Sequence, residues 1–158
     1  SIPTRLYNYL DQHGIRYQLC MHEHSRTSAE TARTAHIDPR QLAKPVLLED
    51  ETGYVMAVVP GDRRVMLGEL SRMLGRNHLR LVDESRIARM FEGCDAGAMP
   101  PVGMAWGMET VVDETLEAMD CVYMEGGDHE RLLQLSHDQF HELMRGQMHG
   151  HFCRPMIH

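Results

Sequence analysis

The residues best suited to chemistry in this 158-residue chain cluster in a few short stretches. The densest is Gly93-Cys94-Asp95-Ala96-Gly97-Ala98-Met99-Pro100-Pro101-Val102-Gly103. Proline fixes φ near −65° and withdraws an amide donor, whereas glycine admits positive φ and close backbone approach. Interleaved, they make a stiff loop whose remaining N–H groups point in set directions. Main chain held that way can cradle an anion or a developing oxyanion. The same composition also builds an ordinary connecting turn. Gly97, Ala98, Met99, Pro100 and Pro101 are the candidate residues of this loop.

A cation stands at Lys44, at the entry to the apolar run Pro45-Val46-Leu47-Leu48. It is either a solvated strand-entry lysine or a compact point charge aimed at a phosphate. Pro45 biases Lys44 toward extended backbone and offers no N–H of its own, so any role there falls to the lysine side chain. Pro60-Gly61-Asp62 is followed by Arg63 and Arg64, a solvated charge pair or a bidentate grip on a phosphate backbone. His129, after the Gly126-Gly127 turn, is either a surface residue or a hydrogen-bond and proton-handling group held against a ligand.

Other candidates carry less. The four cysteines, Cys20, Cys94, Cys121 and Cys153, form no CxxC pair and read as reduced thiols. Cys94 could serve as a nucleophile, but no base lies near it in sequence. His22-Glu23-His24 and His149-Gly150-His151-Phe152-Cys153 contain ligand types for a metal without a partner cluster at a familiar spacing, so no metal and no cofactor are expected. A formal charge of −7 disfavours gripping long nucleic acid by counterion release, DNA included, but allows contact with one or two phosphates. No apolar run approaches a membrane span and no signal-like start is seen, so a cytoplasmic protein without membrane contact is expected.

The elements that must position these groups follow from periodicity and punctuation. Helices are expected over Pro3–His13, from the Thr27-Ser28-Ala29-Glu30 capping box to Ala35, from the Asp38-Pro39 start, over Val65–Leu74, after Asp83 to Phe91, and over His137–Arg145. Strands are expected over 15–21, Lys44–Glu49, Tyr54–Val59, Leu79–Val82, Thr110–Val112, Cys121–Glu125 and Leu132–Leu135. Asp50-Glu51-Thr52-Gly53 closes a hairpin. Residues 1–146 therefore read as one mixed α/β domain, a curled and mostly antiparallel sheet or barrel with helices around it. Residues 147–158 lack periodicity and read as a flexible tail.

The order Lys44, Pro60-Gly61-Asp62-Arg63-Arg64, Gly97-Ala98-Met99-Pro100-Pro101-Val102-Gly103, Gly126-Gly127-Asp128-His129 resembles the YbaK/prolyl-tRNA-synthetase-associated editing domain family, from the first helix to about Arg145. Pro45 departs from the family's pattern. The resemblance implies a trans-editing deacylase that cleaves the ester of a mischarged transfer RNA, with prolyl-tRNA synthetase as a possible partner. It matches Lys44 to the family's near-invariant lysine, Gly97–Pro101 to its GxxxP loop, and His129 to the histidine of the insertion-domain and alanine-editing branches. The implied substrate is the proline tRNA carrying a small amino acid such as alanine, with Lys44 on the terminal phosphate and the loop on the oxyanion. Met99, Val102, Met104 and Val46 are candidates to shape the amino-acid pocket. The alternative is a non-catalytic module of the same fold that binds an acceptor end or a protein.

Overall fold

The computed structural model describes residues 2–156. Its helices are α1 (Thr4–Gln12), α2 (Ser28–Thr34), α3 (Leu67–Leu74), α4 (Glu84–Met90), α5 (Glu114–Glu117) and α6 (His137–Leu143). Its strands are β1 (Gln18–Met21), β2 (Leu42–Asp50), β3 (Gly53–Pro60), β4 (Arg63–Val65), β5 (Arg80–Leu81), β6 (Glu109–Asp113), β7 (Cys121–Glu125), β8 (Arg131–Ser136), β9 (Met148–Gly150) and β10 (Cys153–Pro155). The main sheet runs β1-β8-β7-β2-β3-β6-β9, with β5 added on β2, while β4 and β10 pair separately. The sheet is mixed: β2 lies parallel to β7, as do β3 to β6 and β6 to β9, and the remaining pairs are antiparallel.

The β2–β3 hairpin is the centre. Its turn is set by Asp50, whose carboxylate accepts from the Thr52 N–H at 2.8 Å and hydroxyl at 2.7 Å. Arg76 clamps the same carboxylate at 2.6 and 2.8 Å, so the turn is tied to the end of α3. β3 is buried on both faces, and its period-two alternation sorts the core into two clusters. Met56 and Val58 pack with Leu6, Leu10, Phe91, Met99 and Phe140. Val55, Ala57 and Val59 pack with Leu70, Leu79, Val111 and Phe152 on the other side.

One irregularity of β2 positions the site. β7 pairs only with Leu42 and Ala43, and β5 only with Leu48 and Glu49, so β2 has an open edge between them. The Leu47 carbonyl accepts from Val82 N–H at 3.1 Å, so odd-numbered residues of β2 turn their polar backbone groups away from β3. Pro45 follows that alternation and faces the gap, where a missing N–H breaks no ladder bond. A proline inside a central strand is thus accommodated where the strand has no second neighbour.

The described elements depart from the sequence expectation in places. The stretch from 147 onward, expected as a flexible tail, supplies β9 to the main sheet and β10 to the β4 pair. Its anchors are long-range, which no local periodicity displays: buried Phe152 joins the second core cluster and its N–H donates to Asp113 Oδ2 at 2.8 Å. The expected helix start at Val65 is overridden because Arg63–Val65 pairs with Cys153–Pro155, and α3 begins only at Leu67. Short α5, capped by Asp113, was not expected. His158 and Ile157 of the expected tail lie outside the described residues.

Candidate functional site

The open edge of β2 is one wall of a cavity of about 200 Å³. Ala43, Lys44 and Pro45 form that wall, Ile87 of α4 covers it, and Gly97 and Met99 close it from the glycine–proline loop. This volume is below the roughly 300–1,000 Å³ of clefts that hold drug-sized ligands, so only a small group fits within it.

The loop is rigid for identifiable reasons. Asp95 N–H donates to Gly127 O at 2.7 Å and Ala98 N–H to Asp95 O at 3.0 Å, tying it to the β7–β8 turn. Gly97 sits at φ +79°, and a Cβ there would stand 3.4 Å from Arg26 O and 3.5 Å from His129 Cε1. Gly103, where the loop ends, has no room for a Cβ against Thr110 Oγ1. Ala98, Pro100, Pro101 and Val102 are buried and act as the loop's foundation. The N–H groups of Gly97 and Met99 donate to no acceptor among the described residues, so they are free for a ligand's oxygen.

His129 stands behind this loop and is only 4% exposed. It adopts φ +61°, a left-handed conformation held by the Asp128 turn, in which the Asp128 carboxylate accepts from the Glu130 and Arg131 N–H groups at 3.0 and 2.9 Å. Its Nε2 bonds the Ala96 carbonyl. A carbonyl only accepts, so Nε2 carries a proton, and in the neutral imidazole Nδ1 presents a lone pair. Nδ1 is buried without a partner, and His24 packs edge-on at 5.5 Å between ring centroids.

Lys44 lines the cavity, while its ammonium donates to the Arg63 carbonyl at 2.6 Å. Burial pushes the lysine below its ordinary range, with Asp62 and Cys153 acting in the opposite direction. Arg63 and Arg64 do not line the cavity: they lie on β4 opposite Pro155 and Arg154, and Arg64 is exposed. Of the pocket-shaping candidates, Met99 lines the cavity. Val102 belongs to the first core cluster, Met104 packs against it, and Val46 packs against the second.

Glu125, at the end of β7, also lines the cavity and was not singled out from the sequence. Its flag would have been a carboxylate closing an apolar strand directly before Gly126-Gly127. Cys94 is no nucleophile at neutral pH, because burial, with Asp95 adding to it, pushes its thiol up to about 11. The histidine-rich runs are spent elsewhere: His22 Nδ1 faces the Glu23 carbonyl at 2.6 Å, and His149 and His151 pair with Glu117 and Glu114. Among the described residues no three His, Cys, Asp or Glu side chains gather as metal ligands. No helix among them is long and apolar enough to cross a membrane.

Comparison with known proteins gives the family and the fold. The aminoacyl-tRNA editing domain model matches residues 22–143. Proline–tRNA ligase of Thermosipho melanesiensis is 26% identical over 113 residues, covering 72% of this chain and 20% of the ligase. That of Xanthomonas oryzae pv. oryzae is 31% identical over 94 residues, covering 60% of this chain and 16% of the ligase. The chain thus spans a fifth or less of these ligases. Among solved structures, the hypothetical protein APE2540 superposes with a TM-score of 0.82 at 24% identity, over 95% of this chain and 99% of its own. A candidate trans-editing enzyme for prolyl-tRNA synthetase gives 0.81 at 23% identity, over 98% and 99%.

Proposed function

Since the chain belongs to the aminoacyl-tRNA editing domain family, we propose that it is a trans-editing deacylase that hydrolyses the ester of a mischarged transfer RNA, with the proline tRNA carrying a small amino acid such as alanine as its substrate. The observation that carries this reading is one small cavity lined by Gly97 and Met99, whose N–H groups are unbonded among the described residues, and by the Lys44 segment of β2.

An aminoacyl ester is already reactive, so the protein has to place it, admit a water and stabilise the oxyanion. Water adds to the ester carbonyl, the oxyanion accepts from the loop N–H groups, and the ribose oxygen leaves with the proton that the water gives up. Losing one oxyanion donor typically costs roughly 10²–10³ in rate. Lys44 takes the phosphate of the terminal nucleotide, exchanging the Arg63 carbonyl for it on binding. His129 holds the loop through Ala96 and so positions the oxyanion cradle. The neighbouring ribose hydroxyl assists, which removes the need for a side-chain nucleophile. Selection is by size: one methylene is worth only about 1–3 kcal/mol to a synthetase, and a second, smaller pocket removes the mistakes. Prolyl-tRNA synthetase is a natural partner for such a reaction, holding the RNA that this acidic chain grips only at its tip.

A second reading, a non-catalytic acceptor-end binder, draws on the Lys44 ammonium being already engaged by Arg63. A panel of mischarged tRNAs, incubated with wild type and Lys44→Ala, separates the two. Fast release of one small amino acid, reduced about 10²-fold or more in the variant, supports the deacylase. Intact ester throughout, with retained RNA binding, selects the binder.

A further inference from the structure

We propose that Glu125 is the group that recognises the free α-ammonium of the acyl moiety, and so restricts hydrolysis to unblocked aminoacyl esters. This rests on the deacylase reading and names a specificity-determining residue within the same cavity.

Glu125 is 6% exposed yet lines the cavity. Its Oε1 accepts from the Thr31 hydroxyl at 2.9 Å, and that hydroxyl lies 2.6 Å from Ser25 Oγ, with both residues fully buried. Thr31 has one proton, which goes to Glu125, so Ser25 must donate to Thr31. This relay fixes the plane of the carboxyl. Its other oxygen, Oε2, is buried and has no partner. Two ring nitrogens nearby share that condition, His129 Nδ1 and His22 Nε2, while the opposite nitrogen of each ring meets the Ala96 and the Glu23 carbonyl.

The unpartnered side-chain atom at the Glu125 wall is thus an acceptor, while the cavity's donors, the Gly97 and Met99 N–H groups and Lys44, come from the loop and from β2. Buried polar atoms in native proteins are nearly always satisfied, and an exception calls for a ligand or a water. A carboxylate or phosphate offers no donor and would be repelled. An ammonium carries three N–H groups and a positive charge. Burial raises the Glu125 carboxyl above the usual glutamate range, with Thr31, His129 and His22 opposing and Asp128 adding to the rise. An arriving ammonium favours the ionised form. An N-acylated amino group has lost both the charge and most of its donors, so it forfeits the interaction.

The test compares alanyl-tRNA and N-acetylalanyl-tRNA as substrates for wild type and Glu125→Gln. Glutamine keeps the volume and still accepts from Thr31, and a thermal melt checks that it folds. Wild type is expected to favour the free amine. The variant should lose roughly 10–150-fold in kcat/KM on alanyl-tRNA, the size of a hydrogen bond to a charged group. Its rate on the N-acetyl ester should stay within about twofold, so that discrimination collapses. An equal loss on both substrates, or a wild type indifferent to N-acetylation, overturns the proposal. Should wild type cleave neither ester, the deacylase reading fails by itself. Calorimetric binding of the non-hydrolysable 3′-alanylamino-adenosine and its N-acetyl form then decides: a free-amine preference present in wild type and absent in Glu125→Gln upholds Glu125, and no preference overturns it.

Discussion

Gly97 and His129 are packed neighbours: a side-chain carbon on the glycine would stand 3.5 Å from the imidazole Cε1, while the imidazole Nε2 holds the Ala96 carbonyl one residue away. The loop's backbone direction and the histidine's tautomer are therefore one structural decision. Gly97→Ala is strained by φ +79°, and its added carbon would rest in contact with His129 and Arg26 O at the site. The conformational part costs about 1–2 kcal/mol of stability. If the loop relieves that φ strain by moving its cradle up to about an ångström, kcat for deacylation should fall by about 10²-fold. Gly93→Ala is the matched control. It has φ +87° with nothing within 4 Å of the added carbon, so it should show the same modest loss in denaturant midpoint and near-normal turnover. Equal turnover in the two variants would refute the coupling.

Much of this was readable from residue types alone. The capping signals at Thr27, Asp38 and Ser136 each make the expected bond to a following N–H. The strand Cys121–Glu125 has the bounds its periodicity implied. The stiffness of the glycine–proline loop is local and so legible, whereas the packing of His129 against it and the sharing of one cavity by Lys44, Gly97 and Met99 are set by topology. What stayed hidden depends on distant partners. β4 exists only because β10 returns to it, and the last strands are held by Asp113 and the core around Phe152. The open edge that explains Pro45 is a fact of sheet topology. Glu125 draws its interest from a threonine ninety-four positions away, and no local pattern carries that.

Lys44 faces a choice between the Arg63 carbonyl and an incoming phosphate. Lys44→Met keeps most of the stem and removes the charge. It should lower kcat/KM by roughly 10–150-fold, the range for a hydrogen bond to a charged group. The sharper readout is salt. A single phosphate contact on a single-stranded end contributes about 0.7 to the slope of log affinity against log salt. Filter binding of acceptor-end RNA between about 50 and 200 mM salt, a range over which phosphate contacts register, should show the variant's slope shallower by about that amount. An unchanged slope would mean that the ammonium stays with Arg63 in the complex.

Asp113 binds the C-terminal strands to the body. Its carboxylate caps α5 through Thr115 N–H at 3.0 Å and receives Phe152 N–H at 2.8 Å. Asp113→Ala removes a helix cap and orphans a buried amide, so a loss of about 2–4 kcal/mol is expected, and a melting midpoint lower by roughly 5–15 °C. Burial alone would raise this carboxyl, but the bonds from Phe152 and Thr115 outweigh it, and its folded value lies below the ordinary one. The stability it contributes is therefore present above about pH 4 and fades as pH falls through the folded value. Wild type and variant should converge in acid.

Glu125 should show the opposite dependence. Burial holds its carboxyl above the unfolded value, despite Thr31, His129 and His22, with Asp128 pushing the same way as burial. The folded protein thus binds this proton more tightly than the unfolded chain. The corresponding stability is fully present below about pH 4, near the unfolded glutamate value, and is lost as pH rises through the folded one. Glutamine mimics the protonated acid at every pH. Chemical denaturation of wild type and Glu125→Gln should give matching midpoints near pH 4 and a more stable variant at pH 7. A residue kept ionisable at the expense of stability, at the wall of a cavity, is what a ligand site demands of its fold. A variant less stable than wild type at neutral pH would instead make Glu125 a structural carboxylate already satisfied within the protein.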